Sequence, residues 1–427
     1  MKVIVAGAGI GGLAAALSLH QAGIEVLVFE SVQELSAPGA GINLQPNAVR
    51  ELDELGLGDE LAASGIATAH WSCYNKHGQL IWSEPRGLAA GYQWPQYSIH
   101  RGRLQQLLWR AARARLGESR VLAGHHLAGF EQDPQGVTAQ FIDRASGEPR
   151  RKERGDVLIG ADGIHSTVRK RFYPDEGRPR YCGEMQWRAS VEVAPFLDGR
   201  TQVIIGHRDQ RFLAYPMSRE SAEHGVSLVN WIAELRMPEN PAPPDWDRRV
   251  AKEVFWEAFR PWRFPWLDVP GLIAATKTIV EFPKCDRDPV ERWSFGRVTL
   301  LGDAAHPMLP TGSQAGSQAV VDARVLTRAL LVEPNVEAAL KAYELERLAP
   351  MAAITLKNRE LGPELAMQIA EERAPQGFGH IEEVIPREEM ASITETYKRA
   401  AGFDSASVNS RPSFLSGLVG KDARTKP

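Results

Sequence analysis

The sequence predicts an α/β fold, a doubly wound Rossmann-like domain into which an antiparallel sheet is inserted. Three observations predict it. The first thirty residues read as strand, glycine turn, helix and strand. Alternating aromatic and β-branched segments then follow between residues 181 and 236. Finally, Arg297–Gly302 has the apolar pattern of a buried strand and would return the chain to the first sheet.

The N-terminal elements follow from short sequence patterns. Lys2–Ala6 and Ile24–Glu30 are apolar runs typical of buried strands, and the Ala/Leu-rich stretch Gly11–Ala22 between them predicts a helix that ends at Gly23. Residues 46–64 and 101–116 are also expected to be helical. The charged stretch Asp143–Gly155 between two strand-like segments is interpreted as a solvated hairpin tip, with a binding patch as the alternative.

The inserted sheet is predicted from period-two alternation. Its strands are expected at Gln186–Val193, Thr201–Gly206, Phe212–Met217 and Ser227–Leu235. The proline-rich residues 238–247 are expected to form a surface loop. The resulting division is residues 1–180 and 286–350 for the nucleotide-binding domain, 181–285 for the substrate-binding sheet, 351–404 for a C-terminal helical segment and 405–427 for a flexible tail.

Composition excludes several classes of protein. The 427 residues include 50 basic and 53 acidic side chains, and the net charge of −3 provides no field that would recruit nucleic acid. Three cysteines without a CxxC pair support neither a disulfide framework nor a zinc site, and they suit a reducing cytoplasm. No apolar stretch of 18 residues is present, so we expect no transmembrane segment.

The first glycine turn indicates dinucleotide binding. In G-x-G-x-x-G, Gly7 permits the tight turn, Gly9 lets a pyrophosphate approach the backbone, and Gly12 lets helix and strand pack closely. The phosphates would then lie at the helix N-terminus. Glu30 ends the second strand, where its carboxylate can accept hydrogen bonds from ribose hydroxyls. A structural glycine turn is the alternative, and the motif alone does not separate NAD from FAD.

Three further motifs narrow the choice. They are His100-Arg101-Gly102-Arg103-Leu104, the segment Leu158–Arg169 with its Asp162-Gly163-x-x-Ser166-x-Val168-Arg169 pattern, and Gly302-Asp303-Ala304-Ala305-His306 followed by Pro310. Together with the glycine turn, they make the chain resemble the single-component FAD-dependent aromatic hydroxylases of the p-hydroxybenzoate hydroxylase fold. The resemblance spans most of residues 1–350 and implies non-covalent FAD, with NADH or NADPH as co-substrate.

The resemblance also assigns cofactor contacts. It implies that Arg101 reaches the FAD phosphates, Asp162 lies near the pyrophosphate and Asp303 holds the ribityl chain. The remaining contacts implied are Gly7, Gly9, Gly11, Gly12, Glu30, Gly41, Ile42, Leu127 (through its backbone), Pro310, Gly312, Ala315 and Gly316. The turn at 310–317 leads into a predicted helix, Gln318–Leu331, whose positive end would face the flavin.

The turn before the predicted helix differs from the family pattern at one position and also contains a histidine. The family usually has glycine where this chain has Ala315, and the glycine here falls at Gly316 instead. His306 has no companion at metal-ligand spacing, so we interpret it as structural and expect no metal site.

The substrate class is indicated by a closer resemblance. Segments at Gly41–Pro46, Trp82–Gly87, Pro95–Gly102 and Ser227–Trp231 look like the 5-methylphenazine-1-carboxylate monooxygenases of pyocyanin biosynthesis, which hydroxylate a tricyclic N-heteroaromatic with decarboxylation. The C-terminal segment from about Gly362 does not share this likeness. The expected substrate is therefore a small aromatic or N-heteroaromatic ring, with its identity left open.

The resemblance implies that oxygen is inserted through a C4a-hydroperoxyflavin, so no catalytic triad is expected. Trp187, Tyr215 and Trp231 are candidate pocket walls, with core packing as the alternative. Arg188 is a candidate anchor for a substrate carboxylate, or a surface ion pair, and Tyr215 could polarise a substrate hydroxyl. An FAD-dependent oxidase or reductase without oxygen insertion, and a non-catalytic flavin-binding module, remain open alternatives. The oligomeric state is left as monomer or homodimer.

Overall fold

Residues 1–35, 40–237 and 248–419 are described by the computed structural model. The strands are β1 (Lys2–Ala6), β2 (Glu25–Phe29), β3 (Gly41–Leu44), β4 (Ile66–Ala67), β5 (His70–Tyr74), β6 (Leu80–Pro85), β7 (Tyr97–His100), β8 (Val121–Leu122), β9 (His126–Asp133), β10 (Gly136–Ile142), β11 (Pro149–Gly155), β12 (Val157–Gly160), β13 (Arg180–Val193), β14 (Thr201–His207), β15 (Gln210–Pro216), β16 (Ser227–Arg236), β17 (Arg248–Val250), β18 (Arg263–Phe264), β19 (Leu267–Asp268), β20 (Ile279–Asp286), β21 (Ser294–Phe295) and β22 (Val298–Leu300).

The helices are α1 (Ile10–Gln21), α2 (Pro46–Glu54), α3 (Gly58–Ser64), α4 (Arg101–Leu116), α5 (Thr167–Phe172), α6 (Arg219–Glu223), α7 (Trp256–Phe259), α8 (Val269–Ala274), α9 (Ala315–Val332), α10 (Val336–Arg359), α11 (Leu365–Arg373), α12 (Arg387–Ala400) and α13 (Ser405–Ser410). Among the described helices, none is both long and apolar enough to cross a membrane.

A six-stranded sheet forms the nucleotide-binding layer, in the order β21-β22-β12-β1-β2-β8. All neighbours pair in parallel except β21 and β22. The central strands are continuous Val/Ile/Leu runs because both faces of the sheet are covered. Helices cover one face, but the other is covered by the three-stranded sheet β11-β10-β9, from which Phe141 stacks on Phe29 of β2, so the expectation of helices on both faces is wrong. Helix α1 is buried over most of its length and packs against α4 and α9.

An eight-stranded sheet forms the second layer, in the order β17-β20-β13-β16-β15-β14-β5-β6. Its side chains alternate between two faces. One face packs Trp187, Phe212 and Trp231 into a closed apolar core under α7 and α8. The opposite face carries Arg188, Tyr215 and neighbouring polar groups. The predicted strands of the insertion are therefore confirmed, and their two faces have different roles.

Three local features differ from the sequence-based expectation. Strands β5 and β6, which lie within residues 1–180, join the second sheet through parallel pairing of β5 with β14. The stretch Asp143–Gly155 is only partly a turn, because Pro149–Gly155 pairs with β10 as an exposed, arginine-rich strand. Helix α9 begins at Ala315, three residues earlier than predicted. The proline-rich loop at 238–247 and residues 420–427 of the expected tail lie outside the described residues.

The described part of the expected flexible tail, 405–419, is instead ordered against α2. It contains α13, the Val408 carbonyl accepts a hydrogen bond from Arg50, and Ser413 donates to Glu54, so a flexible tail from residue 405 is wrong for this part.

The C-terminal helices close one end of the second sheet. An apolar cluster joins Trp71, Cys73 and Ile204 of that sheet to Met367 and Met390 from α11 and α12. The chain beyond the predicted nucleotide-binding domain therefore packs directly on the sheet face that turns toward the nucleotide layer.

Candidate functional site

The glycine turn after β1 has the geometry that a bound pyrophosphate requires. Gly7 has φ of +106°, and a Cβ placed there would lie 2.3 Å from the carbonyl oxygen of Ala161. A Cβ on Gly12 would lie 2.0 Å from the Gly7 oxygen, so only glycine allows helix and strand to pack this closely. At Gly9 no atom lies within 4 Å of a Cβ position. That open side leaves the backbone N–H groups at the start of α1 accessible to an anion.

Glu30 and Arg101 are both placed in ways that suit a dinucleotide. The Glu30 carboxylate accepts a hydrogen bond from the Ala8 amide at 2.8 Å and another from the Val32 amide at 3.0 Å. It is thereby fixed at the end of β2 with lone pairs to spare for ribose hydroxyls. Arg101 is exposed at the first position of α4. Leu127 is buried in β9, where its role through the backbone stays a prediction.

The Asp162–Arg169 motif forms a brace between the two layers. Asp162 accepts hydrogen bonds from the Ser166 hydroxyl and from the Thr167 amide, and Ser166, the N-cap of α5, accepts one from the Arg169 amide. Burial raises the pKa of the Asp162 carboxyl. Arg169 is 1% exposed and donates to the carbonyl oxygens of Ala304 and Ala305 at 3.1 and 2.7 Å. This arginine therefore holds the turn that carries Asp303.

Asp303 is exposed at the carboxyl end of β22, the edge at which parallel sheets bind ligands. The turn is fixed from below by buried Asp322, which contacts His306 Nε2 at 2.5 Å and Arg347 Nε at 2.7 Å. Burial opposes ionisation of Asp322, but the neighbouring His306 and Arg347 lower its pKa overall. His306 is thus a structural partner of Asp322, as expected from the sequence.

The segment Pro310–Ser317 forms a strained turn at the start of α9. Gly312 and Ser313 have φ of +70° and +55°. A Cβ on Gly312 would lie 2.1 Å from the Tyr397 hydroxyl, so glycine is required for α12 to approach. Gly316 would similarly meet Ile42 at 2.7 Å, whereas Ala315 is accommodated as the first residue of α9. The shift of glycine by one position therefore matches a close approach of Ile42.

Gly41 joins this turn to the second sheet. Its amide donates to Asn230 Oδ1 at 2.7 Å, and a Cβ there would lie 2.6 Å from the Tyr215 ring. Tyr215 is therefore beside the nucleotide-binding segment. Burial raises the pKa of its phenol well above the ordinary value, so the group remains protonated at neutral pH.

A cavity lies where the Pro310–Ser313 turn, the second sheet and the C-terminal segment meet. It is partly open to solvent, and its empty space, with the open side included, is about 490 Å³. Its walls come from the sheet (Trp71, Glu84, Arg86, Gln202, Ile204 and Leu213), from the nucleotide layer and β7 approach (Gln45, Gln96, Pro310, Gly312 and Ser313), and from the C-terminal segment (Pro363, Glu364, Thr394, Tyr397, Lys398 and Phe403).

The tryptophans expected to wall this pocket lie elsewhere. Trp187 is 1% exposed, donates to Glu281 at 2.9 Å and stacks on Phe255. Trp231 is fully buried in the same core and donates to Thr276. Both side chains occupy the sheet face that packs under α7 and α8, which is the core alternative stated above.

Arg188 lies on the other face, partly buried and bonded to Gln186. It is not among the residues that line the cavity. Burial lowers the pKa of its guanidinium, and its Nε has no hydrogen-bond partner among the described residues. Arg188 thus belongs to the polar sheet face behind the cavity.

That polar face contains a buried charge network. Arg211, which is 1% exposed, contacts Glu184, Glu234 and Glu364, and Lys284 contacts the first two of these carboxylates. Burial alone would raise the pKa of Glu234, but Arg211 and Lys284 lower it to about 2. The network fixes Glu364 of the C-terminal segment to the sheet and keeps the wall of the cavity in place.

These residues fit FAD on structural grounds. The open backbone at Gly9, the oriented Glu30 carboxylate and the exposed Asp303 follow the carboxyl ends of β1, β2 and β22, the ligand-binding edge of the parallel sheet. Arg101 is exposed at the first position of α4. Each supplies the chemistry that pyrophosphate, ribose or ribityl groups need. The Pro310–Ser313 turn then leads from that edge to the cavity.

Comparison with known proteins agrees with this geometry. Residues 1–357 match the FAD binding domain family. The phenazine 1,6-dicarboxylic acid hydroxylase PhzS of Lysobacter antibioticus is 42% identical over 370 residues, covering 84% of this chain and 89% of that protein. The aurachin C monooxygenase/isomerase of Stigmatella aurantiaca is 35% identical, covering 82% and 85%. The structure of Klebsiella pneumoniae HpxO complexed with FAD and uric acid superimposes with a TM-score of 0.74 at 27% identity, covering 96% of this chain and 97% of that one.

Sequence reasoning missed several cavity residues. Trp71 and Arg86 lie on or beside strands that were assigned to the first domain, and Tyr397 and Lys398 come from a helix with no recognised motif. The one available signal is the Trp82–Gly87 segment, whose resemblance to the phenazine enzymes indicates a substrate class but gives no position in the fold.

Proposed function

This chain belongs to the FAD-dependent aromatic hydroxylases, and from that premise we propose that its substrate is a flat aromatic or N-heteroaromatic ring of the phenazine or aromatic-acid class. The enzyme is a flavoprotein monooxygenase that uses NAD(P)H and O2. The overall change converts ring C–H, O2, NAD(P)H and a proton into ring C–OH, NAD(P)+ and water. The 42% identical relative named for a phenazine dicarboxylic acid supports the substrate class.

The observation that carries the proposal is the cavity at the end of the Pro310–Ser313 turn. Bound FAD, reduced by NAD(P)H, supplies the activation of O2 and its transfer to carbon. The protein must bring the ring to that cofactor and exclude water, because a loosely held ring leaves activated oxygen to be lost as peroxide. A cavity bordered by the Pro310–Ser313 turn on one side and by Trp71 and Leu213 of the second sheet on the other would meet both needs once FAD is bound beside that turn.

The chain's own groups divide this work. Glu30 would bind ribose, Arg101 a phosphate and Asp303 the ribityl chain. The N-terminus of α9 would place backbone N–H groups and a positive dipole against the ring system of the cofactor. These assignments rest on the exposed positions of Arg101 and Asp303 and on the fixed Glu30 carboxylate.

Tyr215 and Arg188 keep supporting roles in the proposal. Tyr215 presses against Gly41, so we assign it to positioning the 41–42 segment beside the cofactor, and its protonated phenol can donate a hydrogen bond there. Arg188 is assigned to the polar sheet face behind that segment, where its unpaired Nε can meet an anionic group of a bound nucleotide.

NADH as the preferred reductant, and a monomer or homodimer in the cytoplasm, complete the proposal. The NADH preference rests on the phenazine-type resemblance alone. The cytoplasmic location is supported by the free thiols Cys73, Cys182 and Cys285 and by the need for a reduced nicotinamide pool. Comparing kcat/KM for NADH and NADPH tests the first point, and light scattering of the pure protein tests the oligomeric state.

Substrate-stimulated NADH oxidation tests the function. Purified protein should be yellow, release intact FAD on denaturation, and oxidise NADH faster when an activated aromatic acid or N-heteroaromatic is added. A hydroxylated product should accompany each NADH consumed beyond the basal rate. NADH oxidation that yields only peroxide with every aromatic tested would favour the oxidase alternative, and a protein that ignores NADH altogether would favour the binding module.

A further inference from the structure

We infer that Arg86, held beside Glu84 and Lys398, forms an anion subsite that selects substrates with one carboxylate, and that the C-terminal helix α12 sets this selectivity. The inference rests on the proposed function, because it concerns the substrate of the same cavity. It replaces Arg188, the anchor expected from the sequence, with a residue that lies on the cavity wall.

The first argument is charge. Glu84, Arg86 and Lys398 are all buried or nearly so, and the carboxylate touches both cations, Arg86 Nη2 at 2.5 Å and Lys398 Nζ at 2.9 Å. Glu84 stays ionised, because burial raises its pKa but Arg86 and Lys398 lower it further. One anion among two cations leaves the trio with a single uncompensated positive charge in a poorly solvated place.

Other charges near the cavity do not cancel this excess. Glu364, the second carboxylate on the wall, is held by Arg211 at 2.9 Å within the sheet network. The three carboxylates of that network face three cations, because Arg188 interacts with Glu234 in addition to Arg211 and Lys284. Glu395, three residues before Lys398 on α12, lies 3.9 Å from that lysine and is more than half exposed, so solvent screens it. A ligand with one negative charge would therefore complete the trio.

The second argument is unsatisfied hydrogen bonding. Arg86 is 9% exposed and its buried Nε has no partner among the described residues. Two side chains on the same cavity wall, Gln45 and Gln96, each also bury an Oε1 atom without a partner. Buried polar groups seldom remain unpaired in native proteins. Glu84 Oε1 also lacks a geometric hydrogen bond, but it lies 2.5 Å from Arg86 Nη2 as an ion pair. The three atoms with neither kind of partner, Arg86 Nε and the two amide oxygens, indicate a polar ligand there, with an acceptor facing Arg86 and donor groups facing the two amide oxygens.

The third argument is the geometry of the arginine. Its guanidinium lies over the Trp71 ring, 4.9 Å from the ring centroid, which restricts the orientation of its planar face. A fixed guanidinium edge suits a planar carboxylate better than a tetrahedral anion. The apolar walls Ile204 and Leu213 are left to contact the aromatic ring.

The role of α12 follows from where Lys398 lies. This lysine is 314 residues from Glu84 in sequence and beyond residue 357, where the match to the FAD binding domain family ends. Without Lys398, Glu84 would neutralise Arg86 and the trio would have no net charge. Tyr397, the preceding residue, fixes the helix by hydrogen bonding to Asn358 at 2.8 Å against Gly312. The C-terminal segment therefore determines whether the subsite is cationic.

A pair of matched probes tests the subsite on the FAD-loaded full-length enzyme. Phenazine-1-carboxylate and its neutral amide, phenazine-1-carboxamide, are titrated against the flavin absorbance, and each dissociation constant is measured without turnover. Wild type should bind the acid about tenfold or more tighter than the amide, the range expected of a charge-assisted hydrogen bond. Arg86→Gln should abolish that preference and Arg86→Lys should restore part of it.

Lys398→Gln should lower the affinity for the acid, while Lys398→Arg should retain it. Arg399→Gln, the exposed neighbour on α12, serves as the matched control and should change neither constant. Amide binding provides an internal check that each variant still folds around the cavity. Equal binding of acid and amide by wild type, or an acid preference that survives in Arg86→Gln, would overturn the anion subsite. If either probe is nevertheless hydroxylated, the proposed function still stands. Binding of neither probe by the yellow enzyme would overturn both.

Discussion

Replacing Arg169 tests how the two layers are joined. The Arg169 side chain is almost fully buried and donates to three backbone oxygens, those of Ala304, Ala305 and Asp288, as well as to the Glu176 carboxylate. Arg169→Met leaves the three carbonyl oxygens without this donor, and each unsatisfied buried acceptor lowers the free energy of unfolding by about 1–3 kcal/mol. Glu176 keeps its ion pair with Arg287, 3.0 Å away, so the loss of its contact with Arg169 adds little to the destabilisation. We therefore expect a loss of about 3–5 kcal/mol in the free energy of unfolding, the range for a broken buried pair.

The effect on the cofactor is specific because the same oxygens fix the turn that carries Asp303. The apoprotein of Arg169→Met should bind FAD at least about tenfold more weakly, which corresponds to about 1.4 kcal/mol. Urea unfolding followed by tryptophan fluorescence measures the first quantity, and FAD titration of folded apoprotein measures the second. Arg171→Met, an exposed position on the same helix, is the control. Ordinary surface substitutions change stability by less than about 0.5 kcal/mol. If Arg169→Met stays within that range and binds FAD as wild type does, Arg169 does not hold the turn that carries Asp303.

Three other predictions follow from the fold and site. Glu30→Ala and Arg101→Ala should each weaken FAD binding in a titration of the apoprotein, while the FAD-loaded variants should still prefer phenazine-1-carboxylate over its amide. Undiminished FAD affinity in both variants would contradict the assignment of these residues to the cofactor. Trp231→Ala should destabilise the protein by about 3–5 kcal/mol in urea unfolding, since the side chain is fully buried, yet leave KM unchanged in the folded fraction; a raised KM would return this residue to the pocket. Glu234, with a folded pKa of about 2 against an ordinary value near 4.5, contributes stability above pH 4.5 that is lost as the pH falls toward 2. Glu234→Gln should flatten the stability profile in that window, and an unchanged profile would show that the carboxylate does not titrate there.

The nucleotide layer could be predicted from sequence because its signals are local. A glycine turn between two short apolar strands fixes strand, turn and helix within thirty residues, and Glu30 falls where the second strand ends. The motifs at Asp162 and Asp303 likewise lie at strand ends. The contact that joins these two motifs could not be predicted, because the Arg169 side chain donates to a carbonyl oxygen 135 residues away in sequence.

The cavity could not be assembled from sequence for two physical reasons. A period-two pattern separates the faces of a strand but does not say which face meets the cofactor, and here both faces carry large side chains, Trp187 and Trp231 on one and Tyr215 on the other. In addition, Lys398 reaches Glu84 only through tertiary packing of α12. Such contacts leave no periodic signal in a single sequence.

Oxygen transfer with isotopically labelled O2 is the most direct test of the central claim. The FAD-loaded enzyme is supplied with NADH, labelled O2 and an aromatic acid that stimulates NADH oxidation, and the product is analysed by mass spectrometry. A flavoprotein monooxygenase incorporates one labelled oxygen atom into each molecule of hydroxylated product, and none from labelled water when the O2 is unlabelled. A product that contains no oxygen from O2, or NADH oxidation that returns the label only as peroxide, would contradict the account.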